Sequence, residues 1–448
     1  MSALARFFSS VGRQVAGYDR VRSSVTDALV KEGIHVVWDD RAAAVPEGFR
    51  DCDGTLIVYT PAVPDSHPQL QWFRDNGFEV MKRSRVLGMI TEDMKSICVA
   101  GTHGKTTISS LTAFLLSRCE IGVNAFLGGI SKNFNTNFVG NSHSPLVVLE
   151  ADEFDRSFWQ LSPSIGLISS MDADHLDVYG TYEEVKKGFA GFAQRIKPNG
   201  ILLIKSGLAI PLNLSPGVRV FTYSMGGDAD YSAINIEEID GYYTFDLKTN
   251  DGILKGFKMG IRGILNVENA VAALSLAFMS GARYEELVEA LPHFKGIARR
   301  FDVFIDNDSL VYIDDYAHHP EEIKATLKSV RSLWPGRRLT GVFQPHLYSR
   351  TRDFADAFAE ALDDGLDQVV LLPIYPAREE PISGVSSDTI ARLMDGSKCH
   401  LLEKNDLISA LNDLQPEVLI TMGAGDIDRL VPNICEWGAQ YCQSKQRI

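Results

Sequence analysis

Seven consecutive residues, Gly101-Thr102-His103-Gly104-Lys105-Thr106-Thr107, are of the types that hold a triphosphate. Glycines let backbone N–H groups close on anionic oxygens, and a helix start adds its partial positive charge. Lys105 would reach the β- and γ-phosphates, and the Thr106 hydroxyl would sit on Mg2+. The loop is shorter than the general G-x-x-x-x-G-K-[ST] pattern, because Val99 stands where that pattern has its first glycine. Two acidic clusters follow, Glu150-Ala-Asp-Glu-Phe-Asp155 and Asp172-Ala-Asp-His-Leu-Asp177. Either cluster alone would read as a solvated turn, but beside a phosphate loop each suits Mg2+, which takes one or two carboxylates with phosphate oxygens and water. His175 stands among three aspartates, where a metal or phosphate contact is plausible beside a purely structural role.

These groups need elements to hold them. An apolar β-rich run, 97–100, feeds the glycine loop, and a helical pattern free of Gly and Pro follows from 106 to about 117. Apolar strand patterns at 145–149 and 165–169 deliver the two acidic clusters. Hairpin signals fill 231–261, and a long helical pattern, 267–280, contains Asn269 and follows Asn266. This stretch, 89–296, is expected to form a central nucleotide-binding α/β domain. Residues 1–88 alternate helix and strand and predict a small Rossmann-like parallel sheet. Ligands lie beyond the carboxyl ends of such strands, which places Tyr18-Asp19-Arg20 and the 60–63 loop where a ligand would sit. Residues 297–448 alternate again, as a C-terminal Rossmann-like domain. Its strands end in Asp314-Asp-Tyr-Ala-His-His-Pro320, Gln344-Pro-His-Leu-Tyr-Ser-Arg-Thr351, a segment reaching Arg378, and Met422-Gly-Ala-Gly-Asp426. The fold class is α/β in three domains. Gly423-Ala-Gly425 by itself reads as a tight turn rather than a dinucleotide site.

Composition narrows the function. The 448 residues carry 44 Lys+Arg against 58 Asp+Glu, a net charge of −14 with no basic stripe, which argues against nucleic acid as a partner. No apolar run approaches the roughly 20 residues that span a bilayer. Six scattered cysteines without a C-x-x-C pair suit reduced thiols, so a soluble cytoplasmic protein is expected.

Taken together, these motifs, with Asn266-Val-Glu-Asn269 and Arg299-Arg-Phe301, resemble those of the Mur ligases of peptidoglycan synthesis over the whole chain. The resemblance implies ATP-dependent joining of L-alanine to the lactyl carboxylate of UDP-N-acetylmuramic acid through an acyl phosphate. The same resemblance assigns Lys105 to the phosphates, Thr106 and Glu150 to one Mg2+, and His175 to a second. It makes Asn266 and Asn269 adenine-side contacts, and brings Arg300 and Asp314 to ATP. Tyr316, His318, His346 and Arg350 fall around the muramyl carboxylate and the incoming alanine; Asp19, at its strand end, is the candidate substrate contact of residues 1–88. A monomer or weak homodimer is expected. Two other readings stay open: a murein tripeptide ligase of the same family, or a non-catalytic ATP-binding protein. The sequence departs from the family pattern twice. Leu347 replaces a basic residue, which leaves more of the substrate charge to Arg350. The first strand and its G-x-G-G-x-G turn are also missing before Met1-Ser-Ala-Leu-Ala. The expectation is a start codon placed too late, and weak UDP-N-acetylmuramate binding by the chain as written.

Overall fold

The apolar run leading into the phosphate loop lies in the middle of a ten-stranded sheet. The computed structural model describes residues 1–141, 143–172, 179–377 and 379–445. The chain divides into two compact units, Met1–Gly296 and Ile297–Ile448.

The first unit opens with helix α1 (Ser2–Ser10), strand β1 (Ala16–Tyr18), helix α2 (Ser24–Lys31) and strand β2 (His35–Val37). Strand β3 (Leu56–Tyr59), helix α3 (Pro68–Asp75), strand β4 (Glu79–Lys82) and helix α4 (Arg83–Asp93) follow. The small sheet expected here is two separate parallel ladders, β1 with β2 and β3 with β4. These strands are three or four residues long, and among the described residues no strand bridges the two ladders. Packing holds this region instead. Phe7 of α1 packs against Phe126 in a tilted pair and edge-on against Phe138, with ring centroids 5.3 and 6.0 Å apart, and Leu4 joins the apolar core that contains Val147 and Leu149.

Strand β5 (Lys95–Ala100) and helix α5 (Lys105–Ser117) flank the glycine loop. Next come β6 (Asn124–Ser131), β7 (Thr136–Val139), β8 (Leu146–Glu150), β9 (Ile165–Ile168), β10 (Ile201–Lys205) and β11 (Arg219–Ser224). The hairpin strands are β12 (Tyr231–Ile239), β13 (Tyr242–Thr249) and β14 (Gly252–Lys258), followed by the helix Leu265–Ser280. The sheet order is β14-β13-β12-β11-β10-β9-β5-β8-β6-β7. β5 lies between β8 and β9, parallel to both, so the glycine loop and the segments that begin at Glu150 and Ser169 leave the same edge of the sheet. From Ile97 to Ala100 every residue of β5 is fully buried, as a strand covered on both faces requires.

The second unit carries β15 (Asp302–Asp306), β16 (Val311–Asp315), β17 (Leu339–Phe343), β18 (Gln368–Leu371), β19 (Cys399–Leu401) and β20 (Val418–Met422). Its sheet runs β15-β16-β20-β17-β18-β19 and is parallel except for the β15 edge. The sequence pattern ends the strand before Asp314, but β16 continues through Asp315, with Asp314 opposite both Thr421 and Asp302. Two carboxylates sit inside a strand because buried partners satisfy them. Thr421 Oγ1 donates to Asp314 at 2.6 Å, and the Phe301 and Ala317 N–H groups donate to Asp315 at 2.7 and 2.8 Å. No described helix is long and apolar enough to cross a membrane.

Candidate functional site

Gly101 leaves β5 at φ +141°, and a Cβ there would lie 2.1 Å from Ser169 Oγ and 2.9 Å from the Ser170 nitrogen. Gly104 then caps α5 at φ +83°, and no side chain among the described residues caps that end. The first-turn N–H groups of α5 are thus left without a side-chain cap among the described residues, as an anion site needs. Hydrogen bonds tie the loop to the end of β9. The His103 N–H donates to Ser170 Oγ at 2.7 Å, and the Asp172 N–H donates to Thr102 Oγ1 at 3.0 Å. His103 Nε2 lies 3.4 Å from the Asp172 carboxylate.

Lys105 donates to the Gly101 carbonyl at 2.6 Å and to Glu153 Oε1 at 2.8 Å, with the Thr102 carbonyl at 3.4 Å. Glu153 is 2% exposed, and burial pushes its carboxyl above the usual range although Lys105 works against this. The chain after it passes through left-handed backbone at Asp155 and Arg156, both at φ +52°. Glu150, at the end of β8, accepts from the Gly128 N–H at 2.8 Å and from Ser109 Oγ at 3.3 Å. Ser109 lies one turn after Thr106 and donates to its carbonyl at 3.2 Å, so the hydroxyl helix face and the carboxylate meet. Asn269 comes close to the loop: a Cβ on Gly104 would lie 3.1 Å from its Oδ1. Asn266 accepts from Asn269 at 3.4 Å, which joins the two asparagines. Thr107 lies half-buried in the first turn of α5. His175, Asp174 and Asp177 lie outside the described residues.

Farther along the first unit, Asp19 is exposed and accepts the Val21 N–H at 3.1 Å. A cavity of about 310 Å3 is lined by Lys82, Arg85 and Arg156 beside Pro61 and Asp155.

In the second unit Arg299 and Arg300 both lie over the Tyr316 ring, 5.2 and 5.0 Å from its centroid. The Arg299 guanidinium donates to the Gly425 carbonyl at 3.1 Å and sits 3.5 Å from Asp314. Asp314 is 1% exposed, and burial lifts its carboxyl to about 6. The structure therefore places it inside β16 with Thr421 and Arg299, not in the loop beyond. Tyr316, His318 and His346 form a cluster, with ring centroids 5.3 Å apart for the first pair and 5.9 Å for the second. His346 stacks on Tyr375 at 5.8 Å. Leu347, at φ +73°, precedes the short helix Tyr348–Asp353, on which Arg350 carries a buried Nη1 without a hydrogen-bond partner among the described residues. A buried guanidinium nitrogen in that condition suits an anionic ligand.

Glu153 entered the sequence analysis only as a member of the first acidic cluster, and Gly128 and the Ser169-Ser170 pair had no role there. The Glu150-x-x-Glu153 spacing was the one available signal for the first of them.

Three family models match the chain in sequence: "Mur ligase family, catalytic domain" over 1–95, "Mur ligase middle domain" over 99–277, and "Mur ligase, glutamate ligase domain" over 299–425. A curated UDP-N-acetylmuramate–L-alanine ligase of Phocaeicola vulgatus is 48% identical over 436 residues, covering 97% of this chain and 95% of that protein. This chain belongs to the Mur ligase family. A second relative of the same description, from Parabacteroides distasonis, is 47% identical over 97% of the chain and 94% of its own length. The solved UDP-N-acetylmuramate–alanine ligase of Thermotoga maritima superposes with a TM-score of 0.78 at 24% identity, covering 100% of this chain and 96% of that one. In fold, too, the chain is a Mur ligase.

Proposed function

We propose that this Mur ligase joins L-alanine to the lactyl carboxylate of UDP-N-acetylmuramate with hydrolysis of ATP to ADP and phosphate, in the cytoplasm. The observation that carries this reading is the 48% identity, over nearly the full length of both chains, to a relative of that description. The donor set fits the nucleotide. Gly101 and Gly104 give the loop the positive-φ turns that bring it to the helix start, the start of α5 lacks a side-chain cap among the described residues, and Lys105 supplies a cation. It also fits Mg2+, with Thr106 and Glu150 as the hard oxygen donors. No cluster of three or more His, Cys, Asp or Glu side chains suited to a metal occurs among the described residues, and Mg2+ on phosphate oxygens does not need one.

ATP supplies the phosphoryl group that makes the carboxylate reactive, and Mg2+ neutralises charge on the phosphate oxygens. The chain's own residues position and compensate charge, since the attacking groups belong to the substrates. Lys105 gives up its Glu153 contact to hold the phosphates. Asn266 and Asn269 hold the base, and Arg300 adds charge from the C-terminal segment. Lys82, Arg85 and Arg156 give the 310 Å3 cavity the sign needed by an anionic sugar nucleotide, and Asp19 is assigned to the same substrate. Arg350 takes a carboxylate through its buried Nη1, and Tyr316, His318 and His346 surround the amine. We assign residues 1–88, 89–296 and 297–448 to sugar-nucleotide binding, ATP binding and amino-acid binding.

Incubating the protein with ATP, Mg2+ and UDP-N-acetylmuramate, with either L-alanine or the murein tripeptide, tests the reading by mass of the product. The L-alanyl adduct is expected. Product from the tripeptide alone, or from neither, would refute it.

A further inference from the structure

The His318 ring is held at one nitrogen by two oxygens. Nδ1 lies 3.0 Å from the Tyr316 carbonyl and 3.2 Å from Glu322 Oε2. A carbonyl and a carboxylate only accept, so the proton sits on Nδ1 and Nε2 keeps its lone pair. The same Oε2 accepts the His318 backbone N–H at 3.0 Å, which fixes the carboxylate as well as the ring. Glu322 can reach both because it lies in the first turn of the helix Pro320–Leu333, with Pro320 at its start. The His318 side chain stays 21% exposed, enough for a substrate to touch. Its charged neighbours are Glu322, which favours protonation, and Arg350 and Arg300, which oppose it. Burial is the largest influence and lowers its proton affinity.

We propose that Glu322 is a positioning residue that locks His318 in its Nδ1–H tautomer, so that Nε2 receives a proton from the incoming amine. This rests on the ligase reading above. In that step the alanine nitrogen forms a bond to the activated carboxyl carbon and passes one N–H proton to Nε2. The carbon–oxygen bond to phosphate then breaks, and phosphate leaves with the electron pair. Neutral imidazole free in water favours the other tautomer, so the lock is a specific property of this site.

The test uses the full chain with 15N-labelled histidine and assigns the His318 signal by its loss in His318→Gln. The neutral ring is expected to show a protonated Nδ1 and an unprotonated Nε2, and a protonated Nε2 overturns the proposal. Glu322→Gln keeps an oxygen for the backbone N–H, and Glu322→Ala removes it. In both, transfer to L-alanine is expected to fall, by about 100-fold in Glu322→Ala. Capture of the activated carboxyl by hydroxylamine, a nucleophile that needs no base at neutral pH, should stay at the wild-type rate. Unchanged alanine transfer overturns the proposal, and so does an equal fall with both nucleophiles. A wild-type protein that yields neither adduct refutes the ligase reading itself and the role of Nε2 with it.

Discussion

The Lys105 ammonium lies 2.8 Å from the carboxylate of Glu153, a side chain that is 2% exposed. Its other hydrogen bonds go to the Gly101 and Thr102 carbonyls, so its donors are engaged within the protein before any phosphate arrives. Lys105→Ala should lower turnover by about 100- to 1,000-fold, through loss of the charge that meets the phosphates. It should also destabilise the fold by roughly 3 kcal/mol, because a buried carboxylate loses its cation. Denaturant unfolding of Lys105→Ala and of Lys105→Ala/Glu153→Gln checks this, with the double variant expected to recover part of the loss while staying inactive.

The two loop glycines should respond unequally. A Cβ on Gly101 would strike Ser169 Oγ at 2.1 Å and the Ser170 backbone nitrogen at 2.9 Å, whereas one on Gly104 meets side-chain atoms alone, Asn269 Oδ1 at 3.1 Å and Ile108 Cδ1 at 3.4 Å nearest. Both positions have positive φ, which costs a side-chain-bearing residue about 1–3 kcal/mol. Gly101→Ala should therefore weaken binding of a non-hydrolysable ATP analogue by a larger factor than Gly104→Ala, as read by calorimetry.

Glu150 is aimed by Gly128, whose N–H donates to it at 2.8 Å. A Cβ on Gly128 would lie 2.3 and 2.4 Å from the two carboxylate oxygens. Gly128→Ala should displace the carboxylate and raise the Mg2+ concentration for half-maximal activity on the order of tenfold. An unchanged Mg2+ requirement would remove Glu150 from the metal site.

Asp314 links acidity to stability. Burial raises its carboxyl from 3.8 to about 6 in the folded chain. Between those values the folded state binds more protons than the unfolded state, so this residue's contribution is fully present below the lower value and is lost as pH rises through the upper one. Asp314→Asn keeps an acceptor for Thr421. The stability difference between wild type and this variant should shift over that window, on the order of 2 kcal/mol against the wild type as pH rises.

The phosphate loop was legible because local chemistry specifies it: a buried apolar run, glycines, a lysine and a helix former at fixed spacing. The strand end at Asp314-Asp315 was not, because two aspartates read as loop until Thr421 and the Phe301 and Ala317 N–H groups arrive from distant positions to pair with them. The split between the β1–β2 and β3–β4 ladders is equally non-local, since a short strand does not name its partner. The β6–β7 pair went unrecognised because Gly128-Gly129 breaks the alternation that marks a strand. Glu153 was hidden for a different reason. Its burial depends on Lys105, forty-eight residues earlier in the chain, as its partner.

Phosphoryl transfer to the sugar-acid carboxylate at the Lys105 cradle is tested most directly by following an oxygen atom. UDP-N-acetylmuramate labelled with 18O in its lactyl carboxylate, incubated with ATP, Mg2+ and L-alanine, should release phosphate carrying one labelled oxygen for each L-alanyl adduct formed. Adduct formed with unlabelled phosphate would contradict activation of that carboxylate by ATP.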